Sequence, residues 1–361
     1  MTILSHSCSR GYGVKAIEQK ECTMDLEELG WDPFFETHFE LYKEKGFLPA
    51  RIAVEEWNLY IAYSELGELT GKVTGRFRHN ARSRSDFPAV GDWVAVKGNK
   101  KTKKMTIHGV LPRKSKFSRK VATTDDRVTD EQVISANIDT VFLVVALDAD
   151  FNMRRIERYL SLVQESGSRL VVVLNKTDLC DNVEDYLKEV KSITSGIPIH
   201  PVSALKKEGL EQLRTYLPAG QTVTLVGSSG VGKSTLINSL LGEERQAVGE
   251  VREKNGKGRH ITVKRELIMI PGEGMFIDNP GMRSVTLWGE EGGLEKTFED
   301  IVELAHQCKF KDCQHKTEPG CAIKQALADG TLDKKRYENY LRMQRELRIL
   351  ARKREQRARV R

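Results

Sequence analysis

The chain has 361 residues, 30% of them charged and 39% hydrophobic, with a formal net charge of +7. That length gives room for two or three domains with real cores, and no apolar run approaches the roughly 20 residues of a membrane-spanning helix. The basic balance favours a polyanionic partner without demanding one. The N-terminus has no basic-then-apolar signal layout, so a cytoplasmic, reducing setting is expected. Six cysteines do not read as a disulfide framework: Cys308, Cys313 and Cys321 cluster, whereas Cys8, Cys22 and Cys180 are scattered and read as reduced thiols.

Residues 1–24 are polar and aperiodic, and disorder is expected there. Residues 25–45 carry an amphipathic pattern (Leu26, Leu29, Phe34, Phe35, Phe39) that predicts one or two short helices. Residues 1–45 therefore read as an N-terminal extension. From Gly46 the character changes to short β-rich runs, Arg51–Glu55, Asn58–Tyr63, Gly71–Phe77, Trp93–Val96 and Met105–Val110. Five short strands in so few residues suit a small barrel of the OB type, assigned to 46–118. Basic residues crowd its loops (Arg76, Arg78, Arg82, Lys100, Lys101, Lys103), and Phe77, Phe87 and Phe117 interleave with them. A basic face with aromatic platforms suits RNA; the plain alternative is a solvated surface.

Residues 119–285 read as an α/β domain built on a parallel sheet. Expected strands are Val141–Leu147, Leu170–Leu174, Pro198–Pro201, Val223–Val226, Thr262–Ile270 and Met275–Asp278, with helices over Met153–Glu165, Val183–Thr194, Gly209–Leu217 and Lys233–Leu241. Between a strand and a helix stands Gly227-Ser228-Ser229-Gly230-Val231-Gly232-Lys233-Ser234-Thr235, which fits the P-loop pattern G-x-x-x-x-G-K-[ST]. Glycines let successive N–H groups turn toward phosphate oxygens, and the following helix adds its positive end. Lys233 is placed to reach the β- and γ-phosphates, and Ser234 to offer its hydroxyl to Mg²⁺.

Asn175-Lys176-Thr177-Asp178 follows a strand and fits N-K-x-D, the guanine-reading motif of GTPases. Asp178 would accept from N1–H and the exocyclic amine. Adenine offers neither donor there, so the wrong base strands a carboxylate. Lys176 would lie along the base, and Asn175 would tie the loop down. Ser203-Ala204 matches the loop whose backbone N–H groups meet the guanine O6. Asp278-Asn279-Pro280-Gly281 matches D-x-P-G, with Asp278 toward Mg²⁺ and the Gly281 N–H toward the γ-phosphate. Thr262, in a Gly/Lys/Arg-rich segment, is the candidate switch threonine over Mg²⁺. Met282 occupies the position where many GTPases carry a water-orienting glutamine, which leaves His260 as the in-chain candidate. Lys233, Thr262 and His260 are thus the candidate catalytic residues. N-K-x-D and S-A precede the P-loop, the reverse of the usual order. As a ring the order is normal, cut after D-x-x-G and closed by Pro218–Gln221: a circular permutation.

Residues 286–361 read as a helical domain with a basic tail. Within it Cys308-x₄-Cys313-x-His315-x₅-Cys321 supplies three thiolates and one imidazole, which suits one tetrahedral structural Zn²⁺. The helices around it look short, so the metal is expected to substitute for a core.

Together these motifs resemble the ribosome-small-subunit-dependent GTPase A family of bacteria, from about Gly46 to Leu350. The resemblance implies a cytoplasmic GTPase using GTP/GDP and Mg²⁺. It implies binding to the small ribosomal subunit and its rRNA late in maturation, near the decoding region, with hydrolysis stimulated by the subunit and release afterwards. It also implies that the barrel and the zinc domain touch rRNA, and the family's hydrolytic histidine falls on His260. The switch departs from the family pattern G-R-H-T-T-T, reading Gly258-Arg-His-Ile-Thr-Val263, and D-T-P-G becomes Asp278-Asn-Pro-Gly281. The alternatives are a non-catalytic RNA-binding scaffold that holds nucleotide, and a translation factor acting on mature ribosomes. No heptads argue for a dimer, so a monomer is expected.

Overall fold

Short β-branched and aromatic runs near the N-terminus close on themselves. In the structure, a computed structural model that describes residues 24–56, 59–122, 129–194, 196–242, 265–278 and 292–360, these runs form β1 (Leu48–Glu56), β2 (Leu59–Ser64), β3 (Gly67–Val73), β4 (Trp93–Asn99) and β5 (Lys104–Val110). Their order is β1-β2-β3-β5-β4, and β4 returns to β1 through the pairs Leu48↔Val96 to Arg51↔Trp93, which closes the barrel. The β3–β5 pair is parallel and the others antiparallel, the arrangement of an OB barrel. Its interior is a cluster of Ile52, Leu69, Val94, Ile107 and their neighbours.

The expected strand over Gly71–Phe77 is corrected by this pairing. The strand opens four residues earlier, at Gly67, and Gly71 lies within it. A Cβ on Gly71 would come 1.9 Å from the Met105 carbonyl oxygen, so the glycine serves the close approach of β5. Phe77 belongs instead to α2 (Gly75–Asn80), which Thr74 caps by accepting from the Phe77 N–H. Ahead of the barrel, α1 (Pro33–Lys43) is capped by Asp32 and buries Phe35 and Phe39.

A hairpin absent from the sequence reading, β6 (Lys116–Ala122) with β7 (Thr129–Ala136), follows the barrel. The α/β part then contributes β8 (Thr140–Ala146), α3 (Met153–Gln164), β9 (Arg169–Asn175), α4 (Val183–Lys191), β10 (Ile199–Pro201), α5 (Leu210–Arg214), β11 (Thr222–Val226), α6 (Lys233–Leu241), β12 (Glu266–Met269) and β13 (Met275–Asp278). The strand order is β10-β9-β8-β11-β13-β12. The first five strands run parallel, but β12 is antiparallel to β13, so the sheet is mixed at that edge. Both faces are covered by apolar clusters, as a buried parallel sheet requires. β1 also meets β12 at Val54↔Glu266, just past a bulge, and so joins barrel and sheet into one eleven-stranded surface. The Pro218–Gln221 link that joins the permuted ends is roofed by the N-terminal turn: a Cβ on Gly30 would lie 2.6 Å from the Gly220 carbonyl oxygen.

The C-terminal unit comprises α7 (Gly292–Thr297), α8 (Glu299–His306), α9 (Ala322–Asp329) and the 27-residue α10 (Lys334–Val360). It owns a core of Leu294, Phe298, Ile301, Ile323, Met343, Leu347 and neighbours. The expectation that a metal stands in for a core is therefore corrected: the short helices give Leu294, Ile301 and Ile323, and long α10 closes over them with Met343, Leu347 and Leu350. Among the described residues, no helix is long and apolar enough to cross a membrane.

Candidate functional site

In an open α/β sheet the loops at the carboxyl ends of the strands gather on one edge. Here that edge collects the ends of β8, β9, β10, β11 and β13, and with them Asp148, Asn175, Ser203, Gly227 and Asp278.

Asn175 is the tie between these loops. It is 2% exposed; its Nδ2 donates to the Val231 carbonyl of the P-loop at 2.8 Å, and its Oδ1 accepts from the Ala204 N–H at 3.0 Å. One buried amide thus fastens the N-K-x-D, S-A and P-loop segments together. Gly232, at φ 95°, must be glycine for the same reason: a Cβ there would lie 2.3 Å from Asn175 Nδ2. Lys176 adopts a left-handed backbone (φ 65°) and sends its ammonium to Asp148 at 2.8 Å. Asp148 was not singled out in the sequence; burial works against its charge, but the Lys176 hydrogen bond holds its pKa below the ordinary carboxylate value. Its signal was positional, a carboxylate directly after a buried strand. Asp178 Oδ1 accepts from the Ser203 hydroxyl at 2.5 Å, which orients the carboxylate at the rim of the same edge. The Ser203 loop is itself held by reciprocal backbone bonds with Glu208, and Ser239 of α6 donates to the Ala204 carbonyl at 2.7 Å.

The P-loop runs from β11 into α6. Gly227 is buried, and a Cβ on it would strike the Val144 carbonyl at 2.3 Å, whereas Ser229 and Gly230 are exposed and Ser234 and Thr235 half-buried on the first turn of α6. Lys233 folds over the loop and donates to the carbonyls of Gly227 and Ser228 at 2.8 and 2.7 Å. Burial pulls its pKa down to about 8, and Asp278 opposes that shift; burial likewise raises the Asp278 carboxyl against the attraction of Lys233. A half-buried cation, a helix N-terminus and a carboxylate at a neighbouring strand end form a set of groups that fits a magnesium-bound polyphosphate. A further contact missed in the sequence is Arg155, which donates to the Ser228 hydroxyl at 2.9 Å. His260, Thr262, Asn279, Gly281 and Met282, and the N-terminal residues 1–23, lie outside the described residues.

Cys308, Cys313, His315 and Cys321 converge, their ligand atoms all within 4.8 Å of one another. The Cys308 and Cys321 sulfurs lie 3.5 and 3.4 Å from His315 Nδ1 and 3.9 Å from each other. A tetrahedron with Zn–S of about 2.3 Å and Zn–N of about 2.0 Å has edges of roughly 3.5–3.8 Å, so the donor set fits that ion. His315 takes a left-handed backbone (φ 57°), a conformation uncommon outside glycine but one that histidine tolerates. Burial disfavours the Cys308 thiolate, yet N–H donation from Ala322 and Ile323 at the start of α9 carries its pKa below the ordinary thiol value. The Cys313→Ser variant, with one candidate ligand fewer, is expected to take up less zinc than the parent chain and to make the C-terminal helices more sensitive to protease. Metal analysis and limited proteolysis check this, and full retention of zinc would contradict it.

With this geometry in place, kinship decides the class. Residues 110–288 match the RsgA GTPase family. A relative from Opitutus terrae, described as a small ribosomal subunit biogenesis GTPase RsgA, is 45% identical over 339 residues, covering 91% of this chain and 92% of its own. The chain belongs to the RsgA GTPase family. A second relative of the same description, from Syntrophotalea carbinolica, is 42% identical over 329 residues, covering 90% of each chain. Among solved structures, YjeQ from Thermotoga maritima superposes with a TM-score of 0.60 at 29% identity, over 83% of this chain and 98% of its own. YloQ, described as a circularly permuted GTPase, gives 0.58 at 24% identity over 84% and 95%, which speaks for the fold. Membership in the RsgA GTPase family makes the chain a GTP hydrolase, and the permuted order read from its motifs is the order of its fold.

Asp178→Asn is expected to cost about 100-fold of the preference for GTP over ATP, because an amide accepts poorly from the guanine edge. Competition binding with the two nucleotides measures it, and unchanged selectivity would remove Asp178 from the base-reading role.

Proposed function

We propose that this RsgA-family GTPase is a cytoplasmic, monomeric guanine-nucleotide switch in biogenesis of the small ribosomal subunit, stimulated by that subunit late in its maturation. The observation that carries the reading is the Asn175 tie: one buried side chain brings the guanine-reading, S-A and phosphate loops to a single edge. In this reading Asp178 and the Ser203-Ala204 loop take the base, with Lys176 along it. Residues Gly227 to Thr235 cradle the phosphates, Lys233 neutralises them, and the Gly281 N–H meets the γ-phosphate. Ser234, Thr262 and Asp278 hold Mg²⁺, which supplies charge neutralisation at the β- and γ-oxygens. His260 positions the attacking water in place of the glutamine that Met282 replaces. Zn²⁺ at Cys308, Cys313, His315 and Cys321 fixes the C-terminal helices, with four protein ligands leaving it a structural role.

The partner reading rests on the relatives' description and on charge. The barrel loops and α10 are rich in Lys and Arg, a footprint suited to rRNA phosphates. Co-sedimentation with purified small subunits tests it: the chain is expected to pellet with a non-hydrolysable GTP analogue and to leave the pellet with GDP. Equal pelleting with large subunits would contradict the partner. His260→Ala is expected to bind GTP normally but to lose at least about tenfold of subunit-stimulated turnover; wild-type turnover would reassign the histidine.

A further inference from the structure

Helix α3 stands between two sets of contacts that the nucleotide chemistry does not use. On one side Arg155 Nη1 donates to Oγ of Ser228, the second residue of the P-loop, at 2.9 Å, and Tyr159, one turn on, is hydrogen-bonded to the same serine. Arg155 is itself anchored by both carboxylate oxygens of Asp150, one of them at 3.0 Å. On the other side the fully enclosed Glu157 accepts from Arg336 of α10 at 2.9 Å and from Asn339 at 2.6 Å. Arg336 runs on to both oxygens of Asp300 at 2.7 and 2.9 Å and to the Thr297 carbonyl at 2.9 Å, and lies over the Phe298 ring. Arg154 reaches Asp333, and Arg158 reaches Glu346. α7 presses so closely that a Cβ on Gly293 would lie 2.4 Å from the Ser161 carbonyl.

The spacing explains this division. Residues 155 and 159 share one face of α3, while 154, 157, 158 and 161 share another. The second face is fixed by buried charge and by near backbone contact, so α3 cannot slide under the C-terminal unit without breaking enclosed hydrogen bonds. Any shift of that unit is therefore a shift of α3, and Arg155 and Tyr159 pass it to Ser228. The residues that follow Ser228 in the loop are those that meet the phosphates, where GTP and GDP differ.

We propose that α3 couples the seating of the C-terminal helices to the P-loop, so that the C-terminal unit sets the preference of the site between GTP and GDP. Arg155 and Tyr159 are positioning residues, and Glu157, Arg336 and Asn339 form the latch. By reciprocity, the nucleotide sets how firmly the helices are seated. This path runs through α3 and is separate from the direct chain link after D-x-P-G. It rests on the P-loop being the seat of the nucleotide.

The test measures affinity of the full chain for GDP and for a non-hydrolysable GTP analogue, in wild type, Arg336→Met, Arg155→Ala and the double variant. Arg336 does not touch the loop, yet Arg336→Met is expected to change the GTP-to-GDP affinity ratio by about fivefold or more. Arg155→Ala is expected to shift the ratio comparably, and the double variant no further than the larger single, while Arg336→Lys restores part of it. A ratio within about twofold of wild type in a folded, zinc-loaded Arg336→Met, or a double variant whose shift is the product of the singles, would overturn the coupling. Should Arg336→Met fail to fold, Arg158→Ala releases the Glu346 bond at the edge of the latch and is read in the same way. A wild-type chain that binds neither nucleotide would overturn the reading of the P-loop itself, a result distinct from an unchanged ratio.

Discussion

Lys233→Ala is expected to reduce GTP hydrolysis by about 100- to 1,000-fold, the loss seen when a preorganised charge donor is removed from a transition state. The ammonium sits at the mouth of the P-loop, held by the Gly227 and Ser228 carbonyls at 2.8 and 2.7 Å. Burial has already weakened its hold on the proton, pulling the pKa to about 8. A partly desolvated cation of this kind gains most when phosphate oxygens arrive, since little water must be stripped from it on binding. Removal leaves two carbonyls facing the phosphates with no cation between them. The fold should survive, because Asn175, not Lys233, ties the loops together. Single-turnover phosphate release at saturating GTP, with a thermal melt as control, measures the effect. Turnover within about tenfold of wild type would show that the charge acts elsewhere.

Arg51→Met is expected to destabilise the protein by about 3–5 kcal/mol, the cost of emptying an enclosed, fully bonded charge site. Arg51 is 1% exposed. Its guanidinium donates to the carbonyls of Gly91 and Asn137 at 3.3 and 3.0 Å, to the Thr222 hydroxyl at 2.8 Å and to the Leu29 carbonyl. Those partners belong to the N-terminal turn, the barrel, the end of the hairpin and β11. Burial draws its pKa to about 10, and Asp139 and Asp92 support the charged form. Methionine fills much of the volume but removes the guanidinium donors to all four acceptors, of which the Gly91 carbonyl keeps its bond from Asn137 Nδ2 at 3.0 Å. A fall in apparent Tm of roughly 10 °C is expected, together with easier cleavage between barrel and sheet. A Tm within about 2 °C of wild type would contradict the role of Arg51 as the joint between these units.

The chemistry-bearing loops were legible because each carries a residue type that nothing else explains: glycines leading into a lysine, a carboxylate three residues after an asparagine, and thiols at metal spacing. Their partners were not. Asp148, Arg155 and Ser239 are ordinary residues until the sheet brings strand ends together. The third barrel strand was misplaced because Gly71 looks like a boundary, whereas it marks where the β5 backbone comes close. The β6–β7 hairpin escaped because Lys116 to Lys120 reads as a charged loop, its register set only by pairing with β7. The antiparallel run of β12 had a local signal that the reading of a parallel sheet passed over: the Pro271-Gly-Glu-Gly274 turn carries the chain straight back into β13, closed by the Ile270–Gly274 backbone bond. The core of the C-terminal unit was hidden because Met343, Leu347 and Leu350 are spaced along a helix dominated by charge.

The most direct test of the account is phosphate release from GTP and from ATP by the purified full chain, with and without purified small ribosomal subunits. The account predicts slow GTP turnover alone, a sharp rise with small subunits, no comparable rise with large subunits, and negligible ATP turnover. GTP turnover indifferent to small subunits, or ATP turned over as readily as GTP, would contradict it.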